Sequence, residues 1–186
     1  MSSEELIHNS RNKKGGNRLK KSAIIKGEYR YSLKREWDDY NLRKAVFVLL
    51  NPSTADDRVD DRTTMRCISF AKKLDCGSLE MVNIFAYQSR DWRELMNLSL
   101  EEATGPENRF YLENALHSGS EIIVGWGENC IIHHRDYQEL SEWFKGYVPN
   151  CLGTTKDGHP RHPLYVRSDT KVEPYQFPNV STFKPL

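Results

Sequence analysis

The chain is short of cysteine, with four in 186 residues, and Cys67, Cys76, Cys130 and Cys151 form no C-x-x-C pair. Neither a disulfide framework nor a thiolate-rich metal cluster is written into such a sequence, and the thiols are expected to be reduced. Long apolar runs are missing as well. Nothing approaches the roughly 18 residues of a membrane span, and the first residues lack the apolar core of a secretion signal. The protein is therefore expected in the cytoplasm, with no membrane partner. Net charge is nearly absent, 27 Lys and Arg standing against 26 Asp and Glu, which argues against a protein that coats duplex DNA by charge alone. The phosphate loop of ATPases, the Gly-x-Gly-x-x-Gly turn of common dehydrogenases and the Gly-x-Ser-x-Gly elbow of esterases are all missing, and those readings lose their best support. What remains suits one globular domain, large enough to bury roughly 70% of its unfolded surface without a staple.

The charge is unevenly spread. Residues 1–27 hold Arg11, Lys13, Lys14, Arg18, Lys20, Lys21 and Lys26 against only Glu4 and Glu5, leaving the rest of the chain mildly acidic. With Gly15-Gly16 and few apolar residues, this stretch predicts a flexible basic tail, either solubilising or able to hold phosphates, ahead of a single α/β domain over 28–186.

Within that domain, Glu28 to Leu33 alternates Tyr29, Tyr31 and Leu33 with polar residues, the period of a half-buried strand. Ala45–Leu50 is continuously apolar and β-rich, as a strand covered on both faces would be, and Leu79–Phe85, Ile122–Val124 and a weaker Asn150–Thr155 read similarly. Between them, Met65, Ile68, Ala71 and Leu74 recur at helical spacing, closing at Gly77. A second helix runs from Pro106 to Gly119, and a third is suggested by Ile132, Leu140, Trp143 and Phe144. The alternation predicts a three-layer α/β/α fold around a central, mostly parallel four-stranded sheet.

In such sheets ligands bind beyond the carboxyl ends of the strands. The segments there are Asn51-Pro52-Ser53, Asn83, Gly125-Trp126-Gly127 and the loop Gly158-His159-Pro160-Arg161-His162-Pro163-Leu164. An Asn amide can pair with a donor and an acceptor on a planar base edge, while Gly and Pro turns bring backbone N–H groups towards a phosphate or carbonyl. Simpler readings stand beside these. Asn51-Pro52 reads equally as a turn, Asp61-Arg62-Thr63-Thr64 as a helix N-cap, Trp126 as core, and His133-His134 as a solvated helix face. Cys130-x-x-His133 and Cys151 with His159-x-x-His162 offer ligand types for zinc, but the spacing matches no standard finger, so no metal and no cofactor is assigned.

The motifs Leu-Asn-Pro-Ser at 50–53, Gly-Pro-Glu-Asn at 105–108, Trp-Gly at 126–127 and Gly-His-Pro-Arg-His-Pro-Leu-Tyr at 158–165 resemble DUF1643, an uncharacterised bacterial and phage family. The order of Leu49-Leu50-Asn51-Pro52-Ser53, Val82-Asn83, Ile123-Val124-Gly125-Trp126-Gly127 and the His-Pro loop also resembles that of the uracil-DNA glycosylase superfamily. That second resemblance implies a uracil-DNA glycosylase-like fold and a hydrolase or base transferase acting on the N-glycosidic bond of a nucleobase. Its partner would be nucleic acid or a free nucleotide. It implies that Asn51 orients a water, that Asn83 reads a base edge, and that His159 or His162 stabilises the leaving base; the aspartates lie farther along the loop than the superfamily pattern, and it is the chemistry of the bond that suggests Asp56 or Asp61 near the sugar. Pro52, Ser53, Gly127 and the stacking candidates Trp126 and Tyr165 complete the implied ligand site. Bond cleavage of this kind builds positive charge on the sugar and negative charge on the base, which these residue types suit. The alternative is a binding protein that holds a nucleotide or modified base without turnover.

Overall fold

A computed structural model describes residues 6–11, 19–131 and 137–178. Eight strands run as β1 (Leu6–Arg11), β2 (Lys20–Lys26), β3 (Tyr29–Glu36), β4 (Lys44–Leu49), β5 (Ser78–Asn83), β6 (Glu121–Val124), β7 (Asn150–Cys151) and β8 (Glu173–Pro174). The helices are α1 (Arg62–Lys73), α2 (Leu100–Thr104), α3 (Asn108–Ser118) and α4 (Tyr137–Trp143). All strands belong to one sheet of order β1-β2-β3-β5-β4-β6-β7-β8.

The class is α/β, but the sheet is not the mostly parallel, four-stranded one that the alternating pattern predicts. It is mixed. Parallel pairing is confined to β5-β4-β6-β7, while β1-β2, β2-β3, β3-β5 and β7-β8 are antiparallel. Part of the reason lies in residues 1–27, which supply β1 and β2. The tail expectation fails for β1 and β2, which pair along residues 6–11 and 20–26; residues 1–5 and 12–18 lie outside the described residues. The bases of β2 read as a solvated arm because their partners are distant in sequence. Lys20 Nζ lies 2.7 Å from Asp39, Lys21 Nζ 2.7 Å from Asp60 and Lys26 Nζ 2.8 Å from Glu107. Those cations are therefore engaged by the body of the protein.

The two faces of the sheet are covered because β4 and β5 are apolar on both sides. Val46, Val48, Val82 and Ile84 pack with Leu112, Ala115 and Leu116 of α3 and Leu140 and Trp143 of α4. Ala45, Phe47, Leu49 and Met81 pack with Cys67, Phe70 and Ala71 of α1. Burying a side chain of this size contributes roughly 1.5–3 kcal/mol each, so β4 and β5 anchor both layers. Helix α1 starts where Asp61 Oδ1 accepts from Thr64 N–H at 2.7 Å, the cap reading of that motif. Its end differs from the expectation. Asp75, at φ 56°, takes the left-handed position, while the backbone of Gly77 lies so close to that of Asp38 and Asn41 that no Cβ fits. The expected fourth strand shrinks to Asn150–Cys151, and residues 132–136 of the expected third helix, with His133 and His134, lie outside the described residues. Among the described residues no helix is long and apolar enough to cross a membrane.

Candidate functional site

The carboxyl ends of the parallel strands meet at one level. Leu49 of β4 is in register with Asn83 of β5, and Val48 with Val124 of β6. The ladder continues past the strand ends, Ile84 N–H donating to Leu49 O and Gly125 N–H to Val48 O, both at 2.9 Å. Gly127 N–H then reaches Pro160 O at 2.9 Å, drawing in the His-Pro loop. The four predicted loops thus surround one cleft of about 770 Å³, within the usual range of small-molecule sites.

Asn83 ends β5 with its side chain 1% exposed and facing the cleft. Neither its Oδ1 nor its Nδ2 has a hydrogen-bond partner among the described residues. Buried amides are almost always paired, because an unmade hydrogen bond costs about 1–3 kcal/mol. The backbone beneath it is fixed: Asn108 Nδ2 donates to Asn83 O at 3.0 Å and to Ile84 O at 2.8 Å.

Asn51 also lines the cleft. Its Nδ2 donates to Pro52 O at 3.2 Å and Ser89 O at 3.0 Å, so the turn reading is correct for the amide nitrogen. Two bonds on the nitrogen fix which way the amide points, and no hydrogen bond among the described residues engages Oδ1. Pro52 is buried and accepts from Ser89 N–H at 3.0 Å. It does not line the cleft, whereas Ser53 does.

The two histidines separate. His162 lines the cleft, and its Nδ1 accepts from Leu164 N–H at 3.3 Å. Burial holds its pKa down to about 4, against a smaller opposing pull from Asp61. The ring is neutral at pH 7, and with Nδ1 accepting, Nε2 carries the hydrogen. His159 is buried away from the cleft lining, in the short Thr154–Pro160 hairpin, where its backbone N–H reaches Thr155 Oγ1 at 3.3 Å. Burial lowers its pKa too.

The acids separate likewise. Asp61 lines the cleft while capping α1. Asp56 does not line it; its Oδ1 accepts from Arg58 and Val59 N–H, both at 2.7 Å, and these backbone bonds keep its pKa low. Trp126 is mainly core, 1% exposed among Phe144, Tyr175 and Phe177, with one part of the residue reaching the cleft beside Gly127. Tyr165 is 81% exposed at the rim, 5.6 Å from the His162 ring. Among the described residues no three potential metal ligands come together; His133 and the Cys130 side chain lie outside them.

Several cleft residues were not foreseen. Trp92, Arg90 and Lys156 line it, and the only sequence signal was a lone Trp in the polar stretch 89–94. Arg30 is the more instructive case. Period-two reading puts it on the face opposite Leu33. A bulge intervenes: Ile24 pairs with Ser32 but Ile25 with Arg30, so Tyr31 is the extra residue. Bulges shift the alternation of side chains across the extra residue. Tyr31 turns to stack on Tyr111 at 5.0 Å, and Arg30 enters the cleft, 2% exposed.

Among curated proteins and among solved structures nothing matches this chain. A family model does, over residues 30–164, a span that runs from Arg30 to the His-Pro loop and holds nearly every cleft residue. The chain belongs to the DUF1643 family, described as proteins of unknown function.

Proposed function

We propose that the cleft takes a nucleobase, in nucleic acid or in a nucleotide, and cleaves its N-glycosidic bond. The observation that carries this reading is the Asn83 amide, buried against the cleft with donor and acceptor both unused. A planar ring edge presenting a neighbouring N–H and C=O satisfies both atoms at once. The order of the Asn-Pro, Asn, Trp-Gly and His-Pro motifs, which resembles that of uracil-DNA glycosylases, supports the same reading.

The remaining groups suit the reaction. The bond from C1′ to the ring nitrogen breaks with its electron pair on the base, which then takes up a proton. The neutral His162 donates from Nε2–H to an oxygen of the departing base, stabilising negative charge without an acid of its own. A water accepted on Asn51 Oδ1 adds to C1′, and its proton passes to the Asp61 carboxylate. Free base and a sugar hydroxyl result. Trp92 and Tyr165 supply aromatic surface for a base drawn out of its stack.

The test is mass spectrometry of released base from oligonucleotides and nucleotides carrying normal, deaminated and modified bases, with wild type and Asn83→Ala. Because the Asn83 side chain makes no hydrogen bond among the described residues, the variant is expected to keep its melting temperature and lose base release. Binding of a base without release points to a nucleotide-binding protein instead. Equal release by both proteins removes Asn83 from the site and the reading with it.

A further inference from the structure

Arg30 is a buried cation that the fold leaves unsatisfied. Its Nη1 donates to Ala55 O at 2.6 Å, the single hydrogen bond found for the guanidinium among the described residues, and its Nε has no partner. No carboxylate among the described residues lies within ion-pair distance of it. The neighbouring buried guanidinium, Arg35, is treated differently: its Nε meets Asp60 Oδ1 at 2.6 Å. Burial pulls the Arg30 pKa down to about 10, with Arg35 adding to the fall and Asp61 and Asp56 opposing it, so the group is still charged at pH 7. A buried guanidinium with no carboxylate in ion-pair contact is costly unless something brings a counter-charge.

Arg30 and Asn83 line the same cleft from β3 and β5, which pair with each other in the sheet. A ring gripped by the Asn83 amide therefore occupies the cleft that Arg30 also lines. We propose that Arg30 is the specificity-determining residue of this cleft, selecting a ligand that carries an oxyanion close to its base ring. The inference rests on the base-binding reading above and narrows it. The anion has two chemical sources, a carboxylate on the ring or the phosphate of a nucleotide. A charge-assisted hydrogen bond to guanidinium, worth roughly 1.5–3 kcal/mol, corresponds to a ten- to hundredfold preference over the neutral counterpart.

The experiment is calorimetric titration of the full-length protein with matched pairs: uracil and uracil-5-carboxylate, uridine and uridine 5′-monophosphate, adenosine and adenosine 5′-monophosphate. Wild type is expected to bind the anionic member of at least one pair tenfold or more tighter. The base pair and the nucleoside pairs distinguish carboxylate from phosphate. Arg30→Gln should bring the members of that pair within about threefold of each other, and Arg30→Lys, which keeps the charge but loses the fork, should retain a reduced preference. Melting curves establish that the variants are folded; should Arg30→Gln fail to fold, the Arg30→Lys ratio decides alone, an undiminished preference overturning the assignment. Equal binding of neutral and anionic members by wild type overturns the Arg30 inference and leaves the base-binding reading standing. No binding of any base, nucleoside or nucleotide overturns both.

Discussion

Asp60 holds the loop that carries Asn51 and Asp61, and its removal gives the sharpest test of how that loop is built. Its Oδ1 accepts from Arg35 Nε at 2.6 Å and its Oδ2 from Lys21 Nζ at 2.7 Å. Arg35 is fully buried and also donates to Lys34 O at 2.7 Å and to Asp56 O. Asp60→Ala leaves that guanidinium buried with carbonyl partners and no counter-charge. Breaking a buried pair from one side costs about 3–5 kcal/mol. The Asp60 side chain is 15% exposed, so some water reaches it and the lower end, about 3 kcal/mol, is expected. For a chain of this length that lowers the melting temperature by roughly 6–12 °C. The assay is urea or thermal unfolding of wild type, Asp60→Ala, Arg35→Met and the double variant, with Asp169→Ala as the control for the exposed Arg167–Asp169 pair. The control should move by less than about 1 kcal/mol. The double variant should be less destabilised than the sum of the singles, because Arg35→Met removes the stranded charge. An Asp60→Ala loss below about 1 kcal/mol, or additive singles, would refute the argument that this pair holds the loop.

Two further outcomes follow from the cleft. His162 has a pKa of about 4 in the folded protein against an ordinary 6.5, so the unfolded chain binds the extra proton first as pH falls. The stability associated with a neutral His162 is present above pH 6.5 and lost as pH drops through 4, by at most about 3 kcal/mol at 1.4 kcal/mol per unit. Since His159 shifts in the same direction, the measurement is the difference in unfolding free energy between wild type and His162→Asn across pH 4–7; parallel curves would count against a buried, neutral His162. Gly125→Ala places a Cβ 2.9 Å from Pro163 Cδ and 3.2 Å from Arg161 O. It should cost about 1–3 kcal/mol by overpacking and push the His162 loop outward, read as a lower melting temperature together with a raised His162 pKa by NMR; an unchanged His162 titration would show that the loop does not depend on that contact.

Much of the site was legible because the parallel strands write themselves plainly. Ala45–Leu50 is apolar without alternation and Leu79–Phe85 is apolar apart from Glu80 and Asn83, so Asn51, just past the first run, and Asn83, the last residue of β5, stand out as polar residues in a sheet buried on both sides. The order of these segments brought Asn51, Asn83, Trp126, Gly127 and His162 to one cleft. Which histidine faces it was not legible, since His159 and His162 are each followed by proline in one loop. They part only through the Thr154–Pro160 hairpin, whose pairing with Gly127 and Gly153 is a long-range hydrogen-bond pattern.

The antiparallel half was hidden for a different reason. A strand rich in lysine is indistinguishable from a solvated arm until the acids that meet it are placed, and Asp39, Asp60 and Glu107 reach β2 from three separate parts of the chain. Arg30 was concealed by the same half, because the bulge at Tyr31 arises from how β2 and β3 pair and leaves no mark in the alternation of Tyr29, Tyr31 and Leu33. These two misses are linked. The β2-β3 hairpin supplies Arg35, which ties down the loop of Asn51 and Asp61, and Arg30, which lines the cleft that Asn83 also lines. The parallel strands set out polar groups at their ends, as α/β sheets do. The added antiparallel strands contribute the charge that would choose among ligands, and it is there that sequence periodicity is the weaker guide.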